Sequence, residues 1–141
     1  MYLELRQRPG INFSRTALRI NAHGLKGKPT MHEMSITQGI IDICEQHASG
    51  RRVLSLDVEI GELSSVVPEA VEFCFEACSR GTLLEGACLN IARIPGRGHC
   101  LDCGADTPLT AAFGSCARCG GYRVTIEAGE EMRVREIEVD E

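Results

Sequence analysis

Residues 100–120 read CLDCGADTPLTAAFGSCARCG: two Cys-x-x-Cys pairs, Cys100/Cys103 and Cys116/Cys119, separated by twelve residues. A tight turn directs both sulfurs of such a pair the same way, and two turns can close four thiolates into a tetrahedron around one Zn²⁺. Gly104 and Gly120 follow the pairs directly, where these turns call for a residue that accepts positive φ. Four thiolates leave no open coordination position, so the predicted metal is structural. A redox dithiol fits less well, because there are two pairs and no βαβ pattern surrounds them. The lobe from Pro95 to Ile126 falls below the ~40 residues at which a core alone suffices, and zinc binding at neutral pH supplies ~10–16 kcal/mol. His99, beside Cys100, is an accessory candidate: an alternative ligand, a donor behind the sulfurs, or an exposed loop histidine.

Outward from this lobe the periodicity changes. Upstream, Ile36, Ile40, Ile43, Cys44 and His47 recur at helical spacing from Met31, with Gly50 placed to end the helix. In VLSLDVEIGEL, residues 53–63, Leu54, Leu56, Val58 and Ile60 alternate with polar residues and predict a strand with one buried face. Pro68 opens a second helix that ends near Arg80-Gly81 and carries an apolar stripe of Ala70, Val71, Phe73, Cys74, Ala77 and Cys78. Further strands are expected at 87–94 and 131–139. In the last of these Met132 and Val134 sit in one phase and Ile137 and Val139 in the other, which predicts a bulge. The fold class is α+β: a small mixed sheet of about three strands with two helices, formed by residues 31–95 and 127–141, and an inserted zinc-ribbon lobe at 96–126. Cys44, Cys74, Cys78 and Cys88 fall on the apolar faces and are expected to pack in the core. Residues 1–30 contain Pro9, Gly10, Gly24, Gly27 and Pro29 without sustained period, and are expected to be disordered or to stem from a start placed too far upstream.

Composition narrows the function classes. The 141 residues carry a net charge of −5, but residues 1–30 hold six basic residues against Glu4, and residues 31–141 hold nine against nineteen acidic ones with no lysine. An acidic body of this kind lacks the basic face that phosphate neutralisation needs, so no nucleic-acid partner is expected. No run approaches the ~20 apolar residues of a membrane span, and no secretory signal is visible; the expected location is cytoplasmic and the cysteines reduced.

Met31-His32-Glu33 raises a second metal question. With a free amine at Met31, that nitrogen, the His32 amide nitrogen and the His32 imidazole form two fused chelate rings in one plane. Such a tetragonal nitrogen set favours Ni²⁺ or Cu²⁺ over Zn²⁺, and Glu33 can add a carboxylate. Inside a longer chain the amine is an amide and the best ligand is lost.

Together, Met31-His32-Glu33, IGELSSV, FCFEACSRGT, the two cysteine pairs and MRVREIEV resemble the HypA (HybF) family of hydrogenase-maturation nickel chaperones across residues 31–141. The resemblance implies a nickel-binding α/β domain and a zinc ribbon, with nickel at Met31, His32 and Glu33 and zinc at Cys100, Cys103, Cys116 and Cys119. It also implies delivery of Ni²⁺ to the [NiFe]-hydrogenase large subunit with the GTPase HypB, service to urease maturation proteins in some members, and a monomer or weak homodimer. Val67 departs from the pattern, since some members have a carboxylate there. The alternative is a zinc-ribbon module that binds protein or nucleic acid, for which Arg97, Arg118, Arg123, Phe113 and Tyr122 make a thin case. No enzyme is expected, because no nucleophile–base pair and no open catalytic metal site is visible.

Overall fold

The computed structural model describes residues 3–7, 15–20 and 33–140. Their order is β1 (Leu3–Gln7), β2 (Arg15–Ile20), α1 (Glu33–Ala48), β3 (Val53–Gly61), α2 (Pro68–Ser79), β4 (Cys88–Ile94), β5 (Gly96–Cys100), β6 (Asp106–Leu109), β7 (Val124–Ala128) and β8 (Met132–Asp140). One sheet has the order β1-β2-β8-β3-β4 and the other β6-β5-β7. β3 and β4 are parallel, joined through α2, and every other pairing is antiparallel, so the larger sheet is mixed as expected.

Helix α1 turns Ile36, Ile40, Ile41, Cys44 and Ala48 inward, a stripe at helical spacing, while the buried Thr37 hydroxyl donates to the Glu33 carbonyl at 2.7 Å. Ser49 and Gly50, at φ 53° and 81°, turn the chain out of the helix. Helix α2 buries Val71, Phe75 and Ser79, one residue per turn. Phe73, expected in the stripe, is 85% exposed, because it stands two residues from both Val71 and Phe75 and so falls on the opposite side of the helix from the covered face. Against these helices β3 places Leu56, Val58 and Ile60, and β8 places Met132, Val134, Ile137 and Val139.

The bulge expected in β8 is present: Val58 pairs with Val134 but Asp57 with Glu136, leaving Arg135 as the extra residue. It restores the apolar phase on both sides and sends Arg133 and Arg135 to the same carboxylate, that of Glu59, which is buried on the opposite face of β3. Such paired donors offset the hydration a carboxylate gives up on burial. A second irregularity between Val53 and Ser55 buries Val53 and leaves Leu54 only partly covered, a shift from strict alternation.

Two strands lie in the leading segment that was expected to be disordered. β1 pairs with β2, and β2 pairs with β8 in a register that sets Leu18 opposite Ile137. Leu18 is fully buried in the main core, which gives the strand its reason to dock. Cys88, expected in the core, is exposed, because alternation along β4 gives the core face to Leu89 and Ile91 and turns Cys88 to the other side. Among the described residues, no helix is long and apolar enough to cross a membrane.

The two sheets meet at a seam of glycines. The Gly61 amide donates to Glu131 O and the Leu63 amide to Gly129 O, each at 2.7 Å, while the Glu62 amide donates to Ile94 O at 2.8 Å. A Cβ on Gly61 would lie 1.9 Å from the Gly129 oxygen, and one on Gly129 would lie 2.6 Å from the Gly96 Cα. Only glycine permits backbones to pass so closely.

Candidate metal centre

Cys100 ends β5, and the Cys100 amide donates to Ala105 O at 2.9 Å, closing a turn that carries Cys103. A matching turn carries Cys116 and Cys119, closed by the Cys116 amide on Gly121 O at 2.7 Å. The glycines after each pair, Gly104 and Gly120, have φ of 75° and 76°, and their amides donate to Cys100 O and Cys116 O at 2.9 and 2.8 Å. The buried Thr107 hydroxyl accepts the Ala117 amide at 3.0 Å and ties the second turn to β6.

These turns bring all four sulfurs within 4.8 Å of one another. Cys100 Sγ lies 3.6 Å from Cys119 Sγ, and Cys103 Sγ 3.7 Å from Cys116 Sγ. A tetrahedron with Zn–S bonds of ~2.3 Å has edges of about 3.8 Å, so the donor set and spacing fit one zinc ion. The Arg118 and Gly121 amides point at Cys116 Sγ and Cys119 Sγ, each at 3.4 Å, where they would help offset the negative charge of thiolates ligating a metal.

The four thiols are unequal. The Cys119 and Arg118 amides pull Cys116 down to about 6, making it the thiolate of the set. At Cys119 the Gly121 amide acts downward, but hydrogen bonding to Cys100, desolvation and the other thiols outweigh it and push the group up to about 12. Cys103 is likewise raised, its Ala105 amide overcome by desolvation and neighbouring thiols. A metal entering this cluster must therefore displace protons.

His99 does not join the sulfurs. It precedes Cys100 on β5, so alternation turns its ring to the other face of the sheet, where Nδ1 lies 3.2 Å from Asp106 Oδ1. His99, Asp106 and Glu127 bring ligand atoms within 4.8 Å of one another. Asp106 and Glu127 were not singled out in the sequence, because only the register of three strands places them beside His99.

Of the predicted nickel residues, Met31 and His32 lie outside the described residues. Glu33 is the first residue of α1 and partly buried. Next to it, Met34 Sδ lies 3.0 Å from Cys78 Sγ, a sulfur pair that the sequence did not signal. Burial, with Cys74 nearby, raises the Cys78 thiol. Val67 is the residue before α2; it is 49% exposed and makes no side-chain cap. Cys44 is pushed up to about 12 by burial and Glu45, a core thiol rather than a ligand.

A sequence profile described as "Hydrogenase/urease nickel incorporation, metallochaperone, hypA" matches residues 31–139. The hydrogenase maturation factor HypA of Geobacter metallireducens is 58% identical over 110 residues, 78% of this chain and 100% of that protein. That of Geobacter sulfurreducens is 60% identical over the same length and shares. The solution structure of the Ni metallochaperone HypA from Helicobacter pylori aligns with a TM-score of 0.58 at 30% identity, covering 77% of this chain and 97% of that one.

Proposed function

The chain belongs to the HypA family, and from that premise we propose how it carries nickel: Ni²⁺ is taken up at Met31-His32-Glu33 and released to a hydrogenase under maturation, while a zinc ion at Cys100, Cys103, Cys116 and Cys119 holds the ribbon lobe folded. The protein is a nickel metallochaperone of hydrogenase maturation. The observation that carries this reading is that the matched span opens on Met31-His32-Glu33 and contains all four clustered cysteines. No bond is made or broken, so the role is that of a carrier rather than an enzyme.

Selection rests on the donors. Planar nitrogen ligation by the Met31 nitrogen, the His32 amide and the His32 imidazole suits Ni²⁺ and disfavours the tetrahedral preference of zinc, whereas four thiolates do the reverse. Few ligands on one short segment let the ion leave. Because imidazole binds metal only when neutral, loading weakens as pH falls through ~6.5. The GTPase HypB and the [NiFe]-hydrogenase large subunit are the proposed partners, with urease maturation proteins a further client, in the cytoplasm where thiols stay reduced.

In the chain beginning at Met1 the Met31 nitrogen is an amide, so this reading makes nickel affinity depend on where the chain begins. Calorimetric titration of Ni²⁺ into the protein beginning at Met1 and at Met31, with His32→Ala in each, tests it. The expected result is tighter binding for the chain that begins at Met31 and its loss in His32→Ala; a titration indifferent to His32 in both would overturn the assignment.

A further inference from the structure

We propose that the outer face of the ribbon sheet holds a second divalent-cation site, built by His99, Asp106 and Glu127 and separate from both the cysteine cluster and the segment at Met31. The ligands come one from each strand: His99 from β5, Asp106 from β6 and Glu127 from β7. Pairing sets His99 opposite both Asp106 and Thr125, so Asp106 and His99 share a face by register. Glu127 reaches it through a bulge. Arg97 pairs with Ala128 and Gly98 with Ile126, which leaves Glu127 as the unpaired residue, exposed on the same side as Thr125. Thr125 Oγ1 donates to the His99 carbonyl at 3.3 Å and fastens β7 to β5 beneath the cluster.

The three ligand atoms lie within 4.8 Å of one another, close enough for small side-chain rotations to bring all three onto one ion. One imidazole and two carboxylates form a nitrogen–oxygen set of net charge −2, matched to first-row divalent ions such as Ni²⁺ or Co²⁺ and poorly matched to soft Cu(I). Side-chain exposures of 38%, 64% and 41% for His99, Asp106 and Glu127 leave the remaining coordination positions to water, so exchange is fast. Arg97 is the internal competitor, its Nε 3.8 Å from Glu127 Oε2. The cysteine cluster, on the other face of β5, keeps its own sulfur set; the two sites divide soft from borderline ligation across one strand.

The test uses the full zinc-loaded chain carrying His32→Ala, so that its outcome is independent of the nickel reading above. Ni²⁺ is titrated while the ring resonances of His99 and the amides of Asp106, Thr125 and Glu127 are followed by NMR, with zinc content measured for every variant. Selective paramagnetic broadening at these residues is expected. Asp106→Asn with Glu127→Gln should weaken it about tenfold or more while retaining zinc, and Arg97→Ala should strengthen it. Unbroadened His99 resonances at millimolar Ni²⁺, or broadening that persists unchanged in the Asp106→Asn/Glu127→Gln protein, would overturn the site.

Discussion

Among the described residues, the larger sheet and its helices gather seventeen buried apolar residues, from Leu18 to Val139, into one cluster. The ribbon sheet buries little more than Leu109, Thr107, Cys100 and Cys116. Both are antiparallel or mixed sheets, yet the first is held by apolar area and the second by turns that converge on four sulfurs. Apolar burial is spread over many positions, each replaceable at modest cost; ligation is concentrated in four, none of which is replaceable.

The largest test of this contrast is metal removal. Chelating zinc, or Cys116→Ser, should withdraw ~10 kcal/mol or more from the ribbon and collapse the amide resonances of 96–128, while those of 33–94 and 132–140 keep their dispersion. Simultaneous loss of both would break the comparison. Since Cys103 and Cys119 are raised, zinc uptake at neutral pH should release protons, and its apparent affinity should climb from pH 6 to 8. Next in size is Leu56→Ala: emptying a fully buried site should cost the larger sheet about 2–5 kcal/mol in denaturant melts, leaving the thiolate charge-transfer bands of a Co²⁺-substituted ribbon unchanged.

A smaller effect follows from Cys44. Its folded value, about 12, exceeds the unfolded 9.0, so the stability it contributes is whole below pH 9 and lost as pH rises toward 12. At pH 10 the loss should be about 1.4 kcal/mol, and Cys44→Ala should flatten that part of the pH–stability curve. The smallest expected change is a gain: Val67→Asp supplies the cap that α2 lacks and should raise thermal stability by about 1 kcal/mol. A Val67→Asp protein no more stable than its parent would show that the exposed start of α2 is already satisfied.

Legibility followed the same divide. The cysteine centre could be read locally, because ligand identity, spacing and the glycines after each pair lie within 21 residues, 100–120. The β8 bulge was visible too, as a slip between Met132/Val134 and Ile137/Val139. What depended on distant partners was not. Phe73 and Phe75 are equally apolar in sequence, and only the packing of α2 on the rest of the core decides that Phe75 is covered. Cys88 is exposed because the register of β4 turns it, with Asn90, away from the face on which Leu89 and Ile91 pack against the core. In β1 and β2, Leu3 pairs with Ile20 and Leu5 with Leu18, but runs of five and six residues among glycines and prolines carried too short a period to stand out.

The glycine seam determines how the ribbon is mounted. At Gly61, Gly96 and Gly129 backbone rests on backbone, and main-chain hydrogen bonds clamp both chain crossings to the 61–63 segment. Each crossing is thus tied to the larger sheet at the main chain itself. β5 and β7, each about 17 Å long, run outward from these crossings, where the absence of a Cβ at Gly96 and Gly129 leaves room for the Leu63 side chain. The orientation of the ribbon is therefore set where its two strands leave the larger sheet, by main-chain contacts to the same 61–63 segment that precedes α2.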